Sequence, residues 1–270
     1  VILGAGKGIG QSVAKEFKSR GYHIALCARN KDKLAELAEQ LGDDTSTWAV
    51  DVADAENLKR ALADIANNHG DIEVLIYNAY SAEMGKGSTL DVDKFNQSLL
   101  VNVSGALVAA QAVAPAMMAK EKGTILITGG GFALQPFHNQ TALSVGKAGL
   151  RALSHCLNQE LGRKGVHAAT VTVCGIVKEG TAFAPDAIAK SFIALHDQPK
   201  GAFEAEITFT VLKYARFARG GWARQRRAVR GALHDAARQH VAPAAVAAPI
   251  SRLHVGGPVG REGALRRGQH

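Results

Sequence analysis

This chain is short of several things, and each shortage excludes something. It has three cysteines in 270 residues, Cys27, Cys156 and Cys174, far apart and with no C-x-x-C pair. That argues against a disulfide or zinc framework and fits a reducing, cytoplasmic setting. No methionine opens the chain, which starts directly on the apolar Val1-Ile2-Leu3, so residues ahead of Val1 are expected to be missing. Long apolar runs are scarce as well. The longest candidate, Val241 to Ile250, carries Pro243 and Pro249 and falls far short of the ~20 residues of a spanning helix, so no membrane is expected.

Acids are scarce in one part only. From Val211 onward there are 12 lysines and arginines against 2 acids, a net of +10, whereas the preceding residues carry 20 against 22, a net of −2. The basic residues also change type, from 15 Lys and 5 Arg to 1 Lys and 11 Arg. The basic character belongs to the tail. That segment (211–270) is dominated by Ala, Gly, Pro and Arg, and no apolar period runs through Arg238 to His270, so it is expected to be mostly disordered, with a helix as the alternative between Val211 and Arg230. Its composition is also that of a GC-rich gene read in a shifted frame. Arg224, Arg226, Arg227 and Arg230 raise the alternative of a nucleic-acid arm, but no set of stacking aromatics accompanies them.

What is present is a strand, a glycine loop and a helix, in that order. Gly4-Ala5-Gly6-Lys7-Gly8-Ile9-Gly10 follows the apolar strand and leads into an amphipathic stretch from Gln11 to Ser19. The common pattern G-x-G-x-x-G fails, since its third glycine falls on Ile9. A strand that turns into a helix still offers free N–H groups and a positive dipole end to an anion, and glycines let a pyrophosphate approach. Strands are expected at Tyr22–Ala28, Ser46–Val50, Ile72–Tyr77, Thr124–Thr128, His167–Val173 and Phe203–Phe209. Helices are expected at Asp32–Leu41, Asn57–Asn67, Asp91–Lys120, Thr141–Arg163 and Asp186–Leu195. This alternation predicts one α/β domain over residues 1–210, a Rossmann-like, doubly wound parallel sheet.

The ordered motifs resemble the short-chain dehydrogenase/reductase family from Val1 to Phe209. The glycine loop looks like its cofactor loop, Asp51-Val52 like its adenine-contacting pair, and Tyr77-Asn78-Ala79-Tyr80 stands where the family has Asn-Asn-Ala-Gly. Asn102 matches its helix asparagine, Lys147 in Ser144-Val145-Gly146-Lys147-Ala148 its active-site lysine, and Cys174-Gly175 its Pro-Gly. The resemblance implies a dinucleotide held by Gly4, Gly6, Lys7, Gly8, Ile9, Gly10, Arg29, Asp51, Val52, Asn78, Ala79, Lys147, Gly175 and Val177. It implies an oxidoreductase acting on a carbonyl or alcohol. An acid ending the second strand would repel a 2′-phosphate. Ala28 stands there, followed by Arg29, and Lys7 lies in the loop, so NADP(H) is expected over NAD(H).

Two things the family uses are absent. The position four before Lys147 is Leu143, where the resemblance implies a proton-moving tyrosine, and its serine position is Gly130. Lys147 and Asn102 remain. Three substitutes are weighed: Ser144, the nearest hydroxyl in sequence, His138 in the loop just before this helix, and Tyr80 after the fourth strand. His138 is the favoured acid–base group, since histidine is the residue type suited to proton transfer near neutral pH. Phe132, Leu134, Phe137 and Leu143 predict an apolar pocket wall and an apolar substrate. Two readings therefore stand, an NADP(H)-dependent oxidoreductase with an atypical proton donor, and a non-catalytic NADP-binding sensor or assembly subunit. The resemblance also implies a homo-oligomer paired through the helices at Asp91–Lys120 and Thr141–Arg163.

Overall fold

The computed structural model describes residues 1–210. The segment 211–270, with the expectations of disorder, of a shifted frame and of an arginine arm attached to it, lies outside the described residues.

Strands and helices alternate. In chain order they are β1 (Ile2–Leu3), α1 (Ile9–Lys18), β2 (Ile24–Ala28), α2 (Lys31–Leu41), β3 (Thr45–Ala49), α3 (Ala55–His69) and β4 (Val74–Tyr77). Then come α4 (Val92–Leu99), α5 (Gly105–Ala119), β5 (Gly123–Gly130), α6 (Thr141–Leu161), β6 (Val166–Val173), α7 (Pro185–His196) and β7 (Glu206–Phe209). The seven strands form one sheet in the order β3-β2-β1-β4-β5-β6-β7, and every pairing in it is parallel. This is the Rossmann-like, doubly wound sheet the alternation predicts.

The burial pattern explains why the strands read as apolar runs. All of β4 and β6 is buried, because helices cover both faces of a parallel sheet. Leu58 and Leu62 of α3, Ala109 and Val113 of α5 and Leu150 and Leu157 of α6 pack on one face. Val13 and Phe17 of α1, Leu34 and Leu37 of α2 and Ile188 and Phe192 of α7 pack on the other. Three helices start where a side chain can satisfy their first amides: Asn30 accepts from Lys33 N, Asp54 from Glu56 N and Asn57 N, and Asp91 from Lys94 N.

The long helix expected over Asp91–Lys120 is one helical run with a feature the sequence did not signal. Between α4 and α5 the residues Leu100–Ser104 form a wide π-helical turn. Such turns favour functional positions, and this one carries Asn102, fully buried. Contrary to the expectation that no segment reaches spanning length, Val92–Ala119 is long and apolar enough by composition. In the fold it is a sheet-covering helix, with Ala106, Ala109, Ala110 and Val113 buried.

Candidate active site

The sheet order reverses direction between β1 and β4, and ligands of such sheets bind outside the carboxyl ends of the strands at that point. The glycine loop occupies it. Gly4 has φ +81°, and a Cβ there would lie 2.4 Å from Ala79 N, so only glycine fits. Gly8 has φ +103° and precedes α1. A Cβ on Gly10 would come within 3.2 Å of Gly4 O, whereas at Gly6 or Gly8 it would project into open space. No side chain caps the start of α1 and its own first turn holds no acid; Gln11 N donates to Gly6 O at 3.0 Å, and the dipole at this end favours an anion. Asn78 fixes the loop to the neighbouring strands. Its Nδ2 donates to Gly4 O at 2.9 Å, and Thr128 Oγ1 donates to its Oδ1 at 2.8 Å.

Across the cleft, α6 presents Lys147, which is 8 % exposed. Its ammonium donates to Thr128 O at 2.6 Å, and burial lowers its pKa from 10.5 to about 8. The same Nζ lies 5.9 Å from the centroid of the Tyr80 ring, within cation–π range. Gly146 allows the tight crossing beneath, since a Cβ there would come 2.7 Å from Asn102 Cβ. Asn102 clamps the chain just past Tyr80 in both directions: Ser81 N donates to its Oδ1 at 3.0 Å, and its Nδ2 donates to Ser81 O at 2.9 Å. Its Nδ2 also donates to Ser98 Oγ at 3.0 Å.

These parts open into one cleft of about 1110 Å³. Of the residues the sequence singles out, Lys7, Gly8, Ile9, Asn78, Lys147, Gly175 and Val177 line it, together with Tyr80, Gly130, Leu143 and Cys174. Phe132 and Leu134 form apolar wall as expected, whereas Phe137 is exposed. Leu143 sits one turn before Lys147. A Cβ on Gly130 would meet carbons of the Lys147 side chain at 3.5 Å, an ordinary contact, so the spot has room for a small side chain. Gly175 has none: the Phe183 ring lies 2.2 Å from where its Cβ would be.

Other residues stand back from the cleft wall. Gly4 packs on Ala79 and Gly10 on Gly4, whereas Gly6 has open space around it. Asn102 acts from behind, through Ser81. Arg29 follows β2 and is exposed, and Asp51 and Val52 follow β3, all at the same carboxyl edge. Asp51 Oδ1 accepts from Ala53 N at 3.0 Å, and Val52 is buried. His138 is exposed on the loop before α6, its ring 4.8 Å from that of Phe137, and it does not line the cleft. Ser144 is buried, and its Oγ accepts from Phe137 N at 3.1 Å. Sequence reasoning missed Thr128, which ties Asn78 and Lys147 together. A hydroxyl residue just before three glycines at a strand end was the available signal.

The site is thus a dinucleotide-type cleft with a buried lysine at its floor. Comparison with known proteins agrees: the family model for short chain dehydrogenases matches residues 1–188, and the chain belongs to that family. An uncharacterised oxidoreductase of Staphylococcus epidermidis is 27% identical over 186 residues, covering 68% of this chain and 81% of the relative. Among solved structures, a metagenomic short-chain oxidoreductase in complex with NADP is 24% identical with a TM-score of 0.71, covering 77% of this chain and 95% of that one. The closed form of serine dehydrogenase complexed with NADP+ gives a TM-score of 0.72 at 19% identity, covering 79% and 96%. The chain is a short-chain-dehydrogenase-type oxidoreductase.

Proposed function

We propose that this protein is an NADP(H)-dependent oxidoreductase that interconverts an apolar carbonyl compound and its alcohol, with a proton donor other than a tyrosine on α6. The observation that carries the reading is the shared cleft: an uncapped helix start with side-chain-free glycines and a buried lysine face the same space. NADPH fits these residues, because Gly8 lines the cleft and both Gly6 and Gly8 have open space where a Cβ would stand, and α1 carries no acid of its own in its first turn, the Asp186 carboxylate beside it being engaged by Ser12 Oγ at 2.6 Å. When bound, it would supply hydride. Gly4, Gly6, Gly8, Ile9 and Gly10 would hold the pyrophosphate, Asp51, Val52, Asn78 and Ala79 the adenosine end, and Gly175 and Val177 the nicotinamide end. Lys147 would donate to ribose hydroxyls and supply positive charge where a carbonyl oxygen gains electrons.

Cofactor preference follows from charge. Lys7 and Arg29 are exposed, and no acid stands at Ala28. Lys7 reaches Glu36 only at 3.9 Å with both side chains in solvent, a screened contact that leaves the ammonium available to a 2′-phosphate. Two of the compared structures are described with NADP, which supports the same choice. NADPH is expected to bind at least tenfold more tightly than NADH, about 1.4 kcal/mol, and Arg29→Ala to erase most of the difference. Fluorescence titration with both nucleotides tests it, and equal wild-type affinities would remove the NADP assignment. NADPH consumption on a panel of aldehydes and ketones tests the reaction.

Leu143, with no titratable proton one turn before Lys147, favours a second reading, a non-catalytic NADP-binding sensor or assembly subunit. It predicts NADPH binding with no turnover on any carbonyl. The proposal also includes a homo-oligomer in the cytoplasm. Leu100 and Leu107 on the α4–α5 run and Val145 on α6 are exposed apolar residues that pairing would cover.

A further inference from the structure

The proposed reaction needs a proton at the carbonyl oxygen, and α6 offers only Leu143 at the level where one would come from. The opposite wall offers a phenol. Tyr77, the last residue of β4, pairs with Ile127 of β5; Tyr80 follows β4 by three residues and Gly130 ends β5. Both line the cleft, as does Lys147. Tyr80 is 63% exposed, and its ring faces the Lys147 ammonium at 5.9 Å.

A side chain so exposed would ordinarily wander, but the backbone that carries Tyr80 is fixed on both sides. Before it, Asn78 is bonded to Gly4 and Thr128, and Ala79 packs on Gly4. After it, Ser81 is held by two hydrogen bonds to the buried Asn102. Further along, Gly85 N donates to Asn139 O at 3.0 Å, tying this segment to the loop before α6. Such support fixes the backbone from which the phenol reaches into the cleft, one part of what a reacting group requires. His138, by contrast, would have to swing in from an exposed loop.

We infer that Tyr80 is the proton donor of carbonyl reduction in this protein, its hydroxyl delivered from β4 rather than from α6. The inference rests on the oxidoreductase reading above. As hydride reaches the carbonyl carbon, the C=O π electrons move onto oxygen. The Tyr80 O–H bond breaks and its proton becomes the hydroxyl proton of the alcohol. The phenolate then takes a proton back from water, which its exposure admits. The positive charge of Lys147, 5.9 Å from the ring centre, favours the transient phenolate through space, and in alcohol oxidation the same atoms run in reverse.

The test is Tyr80→Phe, which keeps the ring and removes only the hydroxyl. Its kcat on the best aldehyde or ketone is expected to fall by tenfold or more, about 10²-fold on the usual scale of a lost general acid, with NADPH affinity within twofold of wild type. A second readout needs no turnover: tetranitromethane should nitrate Tyr80 in the free protein, read by peptide mass spectrometry, and saturating NADPH should protect it several-fold. A loss below tenfold in a variant of an active enzyme, or nitration unaffected by NADPH, would overturn the role of Tyr80 and leave the oxidoreductase reading standing. A wild-type protein that binds NADPH yet reduces no carbonyl would overturn both together.

Discussion

Lys147 shows what one buried residue imposes. Burial moves its pKa from 10.5 to about 8, so the folded state releases its proton before the unfolded chain does. The folded protein carries the full cost of this burial below pH 8, about 3 kcal/mol from the size of the shift. The cost disappears as pH rises from 8 to 10.5, because there the unfolded state binds the additional proton and stability increases with pH. Lys147→Met, uncharged and of similar length, is expected to melt several degrees above wild type at pH 7, with the gain shrinking between pH 8 and 10.5. Calorimetry of both proteins across that range checks it. A variant that melts lower at pH 7 would show that the bond to Thr128 O outweighs burial. At this scale the sequence was partly legible. The spacing of four from Leu143 to Lys147 put both on one helix face, and both line the cleft. The partner of Lys147 on β5 and the pairing of Tyr80 with its ammonium are contacts between distant segments, which local patterns do not encode.

Among the elements, the turn from β1 into α1 separates two uses of glycine. Gly4 is required by the fold, since a Cβ would strike the Ala79 amide. Gly6 has open space around it, so the fold does not require its lack of a side chain, and under the proposed function that space would take the nucleotide. Gly4→Ala is therefore expected to cost more than about 2 kcal/mol of stability, from clash and left-handed backbone together. Gly6→Ala is expected to keep the wild-type melting temperature and weaken NADPH several-fold. Thermal melts beside NADPH titrations separate the two, and an unstable Gly6→Ala with unchanged binding would contradict the assignment. The strand–loop–helix order was readable because glycine spacing and helix periodicity are local. The π turn at Leu100–Ser104 was not: one extra residue within an apolar helix leaves the apolar pattern looking continuous, and only the burial of Asn102 exposes it. Strand ends differed from expectation for a related reason. Tyr22 and Ile72 are apolar and extend the run in sequence, but the sheet ladder begins only at Ile24 and Val74.

For the whole molecule, the described residues already make a complete sheet with helices on both faces, and the family match ends within them. A protein lacking residues 211–270 is expected to melt within about 2 °C of the full chain and to bind NADPH within twofold; at this size 2 °C is under about 1 kcal/mol. A larger fall in either would show that the basic segment belongs to the functional unit, and sequencing the gene in all frames tests whether its composition reflects a shifted frame. The order of strands carries a consequence in time. β1 lies between β2 and β4, and its second neighbour is supplied more than seventy residues later. Gly4 is held against Ala79 and its carbonyl by Asn78, so a nascent chain that ends before β4 has the glycines but not their support. The nucleotide cradle is then among the last parts of this half to assemble, after a slow, distant closure. Under the proposed function, nucleotide capture would therefore report on folding itself, following the joining of the two halves of the sheet.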